Sequence, residues 1–286
     1  MRLNDLRSTR YVDDRRGRGF GGSFVGASFI GLIVIVVALL LGVDPNQILN
    51  QIQSIEPQQQ TADQQGPKGN AAEFQFAKKI VGSAEDVWTP ILAQHGIKYE
   101  PTIFTPYDVA TQTECGTGIS IMGPFYCPND RRIYIDLSFL KELGDRMGAP
   151  GQLAQAYVIA HEFGHHIQNL TGTMDKVQNR MEGLEEGPGR NRLSMRLELQ
   201  ADCYAGVWTQ RTDAQFHILQ KGDIGDAIHA AGAVGDDTIE KRTRGYAVPD
   251  SFTHGTAEQR TRWFKRGLAR GNMDDCDTFS VRDRQL

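Results

Sequence analysis

The stretch VIAHEFGHHIQNL, residues 158–170, sets His161, Glu162, His165 and His166 into an otherwise apolar helical pattern. Residues four apart on a helix share one face, about one turn apart. His161 and His165 are so placed, and two imidazoles in that relation can ligate one tetrahedral Zn²⁺. Glu162 is the neighbour that cannot join them as a ligand. It can instead reach a water on that ion and take its proton, the H-E-x-x-H arrangement of metal-assisted hydrolysis. The flanks VIA and IQNL are uncharged, so the helix is expected to be buried. A buried polar group without a partner costs a few kcal/mol, and a metal is the economical partner. Satisfied core histidines are the plain alternative. His166 is rotated about 100° off the face of the other two and reads as a supporting or surface residue.

Two histidines leave zinc short of a protein ligand. The extended pattern H-E-x-x-H-x-x-G-x-x-H is excluded, because Gln168 and Thr171 stand where it needs Gly and His. The other solution is a glutamate from a following helix. LSMRLELQADCYAGVW supplies Glu198 and Asp202 at i and i+4, on a helical stretch with Leu197, Leu199, Ala201 and Tyr204. Glu198 is the expected third ligand. Asp202, one turn on, can accept the Nδ1–H of a ligating histidine and fix its tautomer. A solvated face beside Arg192 and Arg196 is the alternative for this pair. His95, His217 and His229 have no evident partners and read as ordinary surface or helix-end residues.

The elements that position these residues follow from pattern. The chain has 286 residues and a formal net charge of −4, which gives no support to nucleic-acid binding. Residues 19–43 are apolar and uncharged, long enough for a transmembrane helix. The 18 residues before them carry six arginines against three aspartates. By the positive-inside bias, residues 1–18 form a cytoplasmic tail and all that follows Val43 lies outside. A cleavable signal peptide would have a shorter apolar core and a small-x-small site, which LLLGVDPN lacks. Residues 44–70 are Gln-rich with few apolar residues and read as a flexible linker. Residues 71–286 form the globular domain. Helices are predicted from Ala71 to a stop at Gly96, and over 138–147, 151–170, 191–211, 223–234 and 257–270. The last begins with Thr256 and Gln259 in capping-box spacing and ends at Gly271. Residues 99–136 are β-rich and broken by Pro, Gly and Asn, predicting a small antiparallel region. The class is α+β with helices predominating. Four cysteines, Cys115, Cys127, Cys203 and Cys276, outside the cytoplasm point to two disulfides. Three pairings are open, with 115–127 and 203–276 the simplest. Buried free thiols are the alternative.

Taken together, VIAHEFGHHIQ, MRLELQADCYAGVW, GDDTI, VPDSFTHGTAEQRTRWFKRG and SIMGPFYCPNDRRIYIDLSF resemble the bacterial neutral zinc metallopeptidases over essentially the whole chain. The resemblance implies a zincin-like domain holding one Zn²⁺ on His161, His165 and Glu198, with Glu162 as base. Peptidases of this class often steady the oxyanion with a His or Tyr opposite the metal, and His254 is the candidate. Arg260 is expected in an ion pair with Asp202 or Glu258 rather than in catalysis. Zinc peptidases commonly bind substrate as an added strand beside the active-site helix, and GPFYCPNDRRIYIDL is the expected edge. The implied function is a membrane-anchored endopeptidase, its catalytic domain periplasmic, acting on protein or peptide. A zinc amidase of cell-wall peptide and a non-catalytic, metal-stabilised scaffold are the alternatives. The sequence leaves the oligomeric state open.

Overall fold

The computed structural model describes residues 1–18, 70–145, 148–149 and 151–286. The apolar run 19–43 and the linker up to residue 69 lie outside the described residues. Among the described residues no helix is long and apolar enough to cross a membrane.

Helices α1 (Ala71–Gln94), α2 (Ser138–Asp145), α3 (Gln152–Leu170), α4 (Thr173–Glu182), α5 (Pro188–Phe216), α6 (Asp223–Ala233), α7 (Asp236–Arg244) and α8 (Ala257–Arg270) build the domain. The strands are β1 (Ile103–Tyr107), β2 (Ala110–Thr113), β3 (Gly116–Ile119), β4 (Phe125–Cys127) and β5 (Arg132–Asp136). Helix α3 is central and packs against α1, α5 and α6, while α8 lies along α5. Trp88, Trp208 and Trp263 are fully buried between these helices. The α5–α8 crossing is close because glycines meet backbone from both sides. A Cβ at Gly206 would collide with the Phe264 carbonyl, and one at Gly267 with that of Cys203. The capping box at α8 forms as its spacing predicts. The Gln259 amide donates to Thr256 Oγ1 at 3.2 Å, and the Thr256 amide donates to Gln259 Oε1 at 2.8 Å. Gly271 closes the helix in the left-handed region with φ 62°.

Three expectations need correction. The β region is mixed rather than antiparallel. β2 and β3 form an antiparallel hairpin, but in the three-stranded sheet of order β1-β5-β4, β1 runs parallel to β5. Parallel neighbours need a long crossover. Residues 108–131, which contain the hairpin and β4, provide it. Helices α4 and α7 were not predicted, because α4 buries only Val177 and α7 buries nothing, so neither carries an apolar stripe. Helix α5 extends beyond 191–211 at both ends, starting with Pro188 in its first turn, where a missing N–H costs nothing.

The cysteines pair 115–127 and 203–276, with Cα separations of 5.8 and 5.6 Å. The first ties the β2–β3 hairpin to β4, and the second ties α5 to the C-terminal segment. Residues 1–18 are part of the packed unit. The Phe104 amide donates to the Tyr11 carbonyl at 3.0 Å, and the Asp13 amide to that of Phe104 at 3.0 Å, a short parallel pairing along the free edge of β1.

Candidate metal centre

Helix α3 presents His161 and His165 toward α5, and α5 presents Glu198 back. Gly164 sets the spacing between the two helices. A Cβ there would stand 3.1 Å from Ala201 Cα and 3.1 Å from its carbonyl oxygen. Small residues on both sides thus let the backbones approach until a glutamate reaches the histidines. His161 Nε2 lies 3.1 Å from Glu198 Oε2, and His165 Nε2 lies 3.4 Å from Glu198 Oε1. Ligands bonded at about 2.0–2.1 Å around a tetrahedral ion stand about 3.3 Å apart. The two separations are of that size, and one ligand atom from each residue lies within 4.8 Å of the others.

The far sides of both rings are held. His161 Nδ1 is 2.8 Å from Asp202 Oδ1, and His165 Nδ1 is 2.8 Å from Gln168 Oε1. Each acceptor assigns the Nδ1 hydrogen and leaves Nε2 as the ligating lone pair. Asp202 is fully buried and also receives Tyr157 Oη at 2.5 Å and Arg260 Nε and Nη2 at 2.9 Å each. Burial alone would raise the Asp202 pKa, but Arg260 and then His161 hold it below the usual carboxylate value. Of the two partners predicted for Arg260, the structure selects Asp202, while Glu258 pairs with Arg262 at 3.1 Å. Gln168 in turn donates to the Leu197 carbonyl at 2.7 Å and to Gln200 Oε1 at 3.1 Å. The position that rules out the longer histidine motif therefore orients His165.

Glu162 is buried beside the His161, His165 and Glu198 cluster but is not part of it. Burial raises its pKa to about 7. His161 and the Tyr126 backbone N–H pull it down, and Glu198 pushes it up. Burial also opposes charge on His161, yet Asp202 and Glu198 raise its pKa to about 10. His165 is pulled down by burial. Burial works against Glu198 ionising, but His165 and His161 hold its pKa well below the usual value. Without a cation, His161 keeps a proton between Asp202 and Glu198; a divalent cation such as zinc would displace it from Nε2 and find an ionised carboxylate and two oriented imidazoles. His165 and Glu198 keep side-chain exposures of 12% and 17%, so the cluster opens to solvent on one side.

His254 lies on that side, with its side chain 52% exposed. Partial desolvation of the ring works against its charge, but the Asp236 hydrogen bond and the Glu198 carboxylate raise its pKa above the ordinary value. Asp236 organises the loop. Its Oδ2 accepts the backbone N–H groups of Thr253, His254 and Gly255 at 2.8, 2.7 and 3.0 Å, and its Oδ1 lies 3.1 Å from His254 Nδ1. The first aspartate of GDDTI thus has a role that the sequence reading did not assign. His166 also differs from expectation. It is fully buried, 3.1 Å from Tyr126 Oη and 2.7 Å from the Glu100 carbonyl, and so ties β4 to α3. His95 is partnered as well, with Nε2 2.9 Å from Asp274 Oδ1.

Residues 1–279 match the family described as "Putative neutral zinc metallopeptidase". The chain belongs to this family. An uncharacterized protein of Escherichia coli K12, YpfJ, is 42% identical over 288 residues, covering 98% of this chain and 99% of its own. An uncharacterized protein of Mycobacterium tuberculosis H37Rv, Rv2575, is 38% identical over 263 residues, covering 86% of each. No solved structure matches the chain.

Proposed function

We propose that the protein is a zinc-dependent endopeptidase. The observation that carries this reading is the convergence of His161, His165 and Glu198 with Glu162 buried next to them, at a pKa of about 7 and outside the ligand set. His161 and His165, their Nδ1 atoms anchored on Asp202 and Gln168, and Glu198 would hold the ion. When bound, zinc supplies a Lewis acid that polarises a carbonyl and brings a water's pKa to about 7. Glu162 takes the proton of the attacking water at its carboxylate and returns it to the leaving amine. His254, steadied by Asp236, donates to the oxygen on which charge develops. The substrate lies extended beside β4, the last strand of its sheet, which packs against the active-site helix and whose Tyr126 N–H faces Glu162. The open side at His165 and Glu198 favours this reading over a closed, purely structural ion site.

The two disulfides favour action in an oxidising, extracytoplasmic compartment. The apolar run 19–43 provides a membrane attachment. Metal analysis and cleavage of a peptide library by the purified full chain test the proposal. The wild type is expected to carry one zinc per chain and to cleave. Glu162→Gln is expected to keep the metal and lose about 10²–10⁴-fold in rate. Zinc bound without cleavage by the wild type would return the protein to the scaffold reading.

A further inference from the structure

The positive-inside reading places residues 1–18 and the domain on opposite sides of a membrane, whereas the structure packs them together. Leu6 and Thr9 are buried. The Thr9 amide donates to the Lys78 carbonyl at 2.9 Å, and its hydroxyl to the buried Glu85 at 2.5 Å. Arg7 pairs with Glu85 at 2.7 Å and Asp86 at 2.8 Å, and Asp13 with Arg132 at 2.7 Å. Arg16 is buried 4.0 Å over the Phe74 ring, and Arg15 donates to the Gln112 carbonyl at 2.7 Å. Arg7, Arg15 and Arg16 thus reach the domain, while Arg10 and Arg18 bond within residues 1–18, to Tyr11 and Asp13. The seat is shaped for main chain. A Cβ on Gly82 of α1 would collide with the Arg7 carbonyl and come within 2.7 Å of the Thr9 nitrogen. The family match, residues 1–279, takes in these residues as well as those of the metal centre.

We propose that residues 1–18 are a strap of the catalytic domain and lie on the same side of the membrane as the metal centre. The described chain leaves the strap at Arg18 and resumes at Asn70, whose carbonyl is 3.5 Å from Arg16 Nη1. The connection therefore departs from and returns to one face of the domain. A single crossing by residues 19–43 would pull the strap off. Two crossings need about 40 apolar residues, and this run has 25. With the disulfides placing the domain in an oxidising compartment, the strap is there too.

All four native cysteines are in disulfides, so an introduced cysteine is a unique label. Asn4 is exposed on the strap, and Glu186, 95% exposed, marks the domain. Full-length Asn4→Cys and Glu186→Cys are made in bacteria, and spheroplasts are treated with a membrane-impermeant maleimide. Both positions are expected to react alike before lysis. Neither reacting until lysis also supports a shared side, while placing that side in the cytoplasm. Reaction at only one of the two overturns the proposal. Docking itself is read from tryptic cleavage at Arg7 and Arg10 in the detergent-solubilised full chain. Gly82→Leu is expected to speed it at least tenfold, and so is Arg7→Glu, read at Arg10, with the Trp-rich core still folded by near-UV circular dichroism. Wild-type cleavage as fast as in both variants refutes the strap.

Discussion

Asp202→Asn separates two jobs held by one buried carboxylate. Asp202 faces His161 Nδ1 on one side and takes two hydrogen bonds from the buried Arg260 on the other. The asparagine keeps the shape but removes the charge. Arg260 is then a buried cation without its counter-ion, and breaking such a pair costs about 3–5 kcal/mol. A domain of this size shifts its melting temperature by about 2–4 °C per kcal/mol, so the metal-free protein should melt about 10 °C lower. Separately, losing a carboxylate behind a ligating histidine weakens metal binding about 10–100-fold. The two losses should part company in the double variant Asp202→Asn/Arg260→Gln, which no longer buries the lone charge. Thermal unfolding under chelator should recover most of the loss, whereas zinc affinity, measured by competition with a fluorescent chelator, should stay low. If zinc affinity is unchanged in the single variant, or if removing Arg260 restores affinity together with stability, the assignment of Asp202 as the support of His161 is wrong.

Gly164→Val adds branched bulk where a single Cβ already stands 3.1 Å from Ala201. It should cost about 1–3 kcal/mol in denaturant unfolding and weaken zinc binding as α3 and α5 part. A variant that is destabilised yet binds zinc normally would show that this gap does not set the ligand geometry. Burial lowers the His166 pKa to about 4. The unfolded chain, titrating near 6.5, therefore binds more protons between the two values. Stability from this residue is complete above about 6.5 and falls as pH drops toward 4, by up to about 3 kcal/mol. His166→Gln should flatten that acid limb in pH-dependent melts. Asp236→Ala frees the His254 loop without touching the ligands, so it should cut kcat about tenfold or more at unchanged zinc content. An unchanged kcat would remove His254 from the reaction.

How much of this was legible depended on the range of the signal. The spacing of His161 and His165, and of Glu198 and Asp202, is read within one helical turn, and the two helices formed where their apolar residues predict. The pairing of those helices was inferred from chemistry, because a two-histidine site needs a carboxylate. Gln168 and Tyr157 escaped notice because their partners lie on another helix or several residues away, and neither type is a habitual ligand. Asp236 lies 18 residues from His254 in a polar helix that carries no periodic apolar stripe. The parallel β1–β5 pairing is long-range, and nothing in the short β-rich segments states its direction. A count of the arginines in residues 1–18 does not say which of them are already paired. Arg7 pairs with Glu85 and Asp86, on a helix that reads as ordinary amphipathic sequence, while Arg15 and Arg16 pair with Asp13 and Asp14 of their own segment.

The central claim is that His161, His165 and Glu198 grip one ion beside an unligated Glu162. Anomalous diffraction at the zinc edge from crystals of the metal-loaded full chain tests it most directly. A single peak within about 2.0–2.2 Å of one atom of each of the three residues, with Glu162 outside bonding distance, is the predicted result. A peak that omits Glu198, or that takes Glu162 as a ligand, would contradict it.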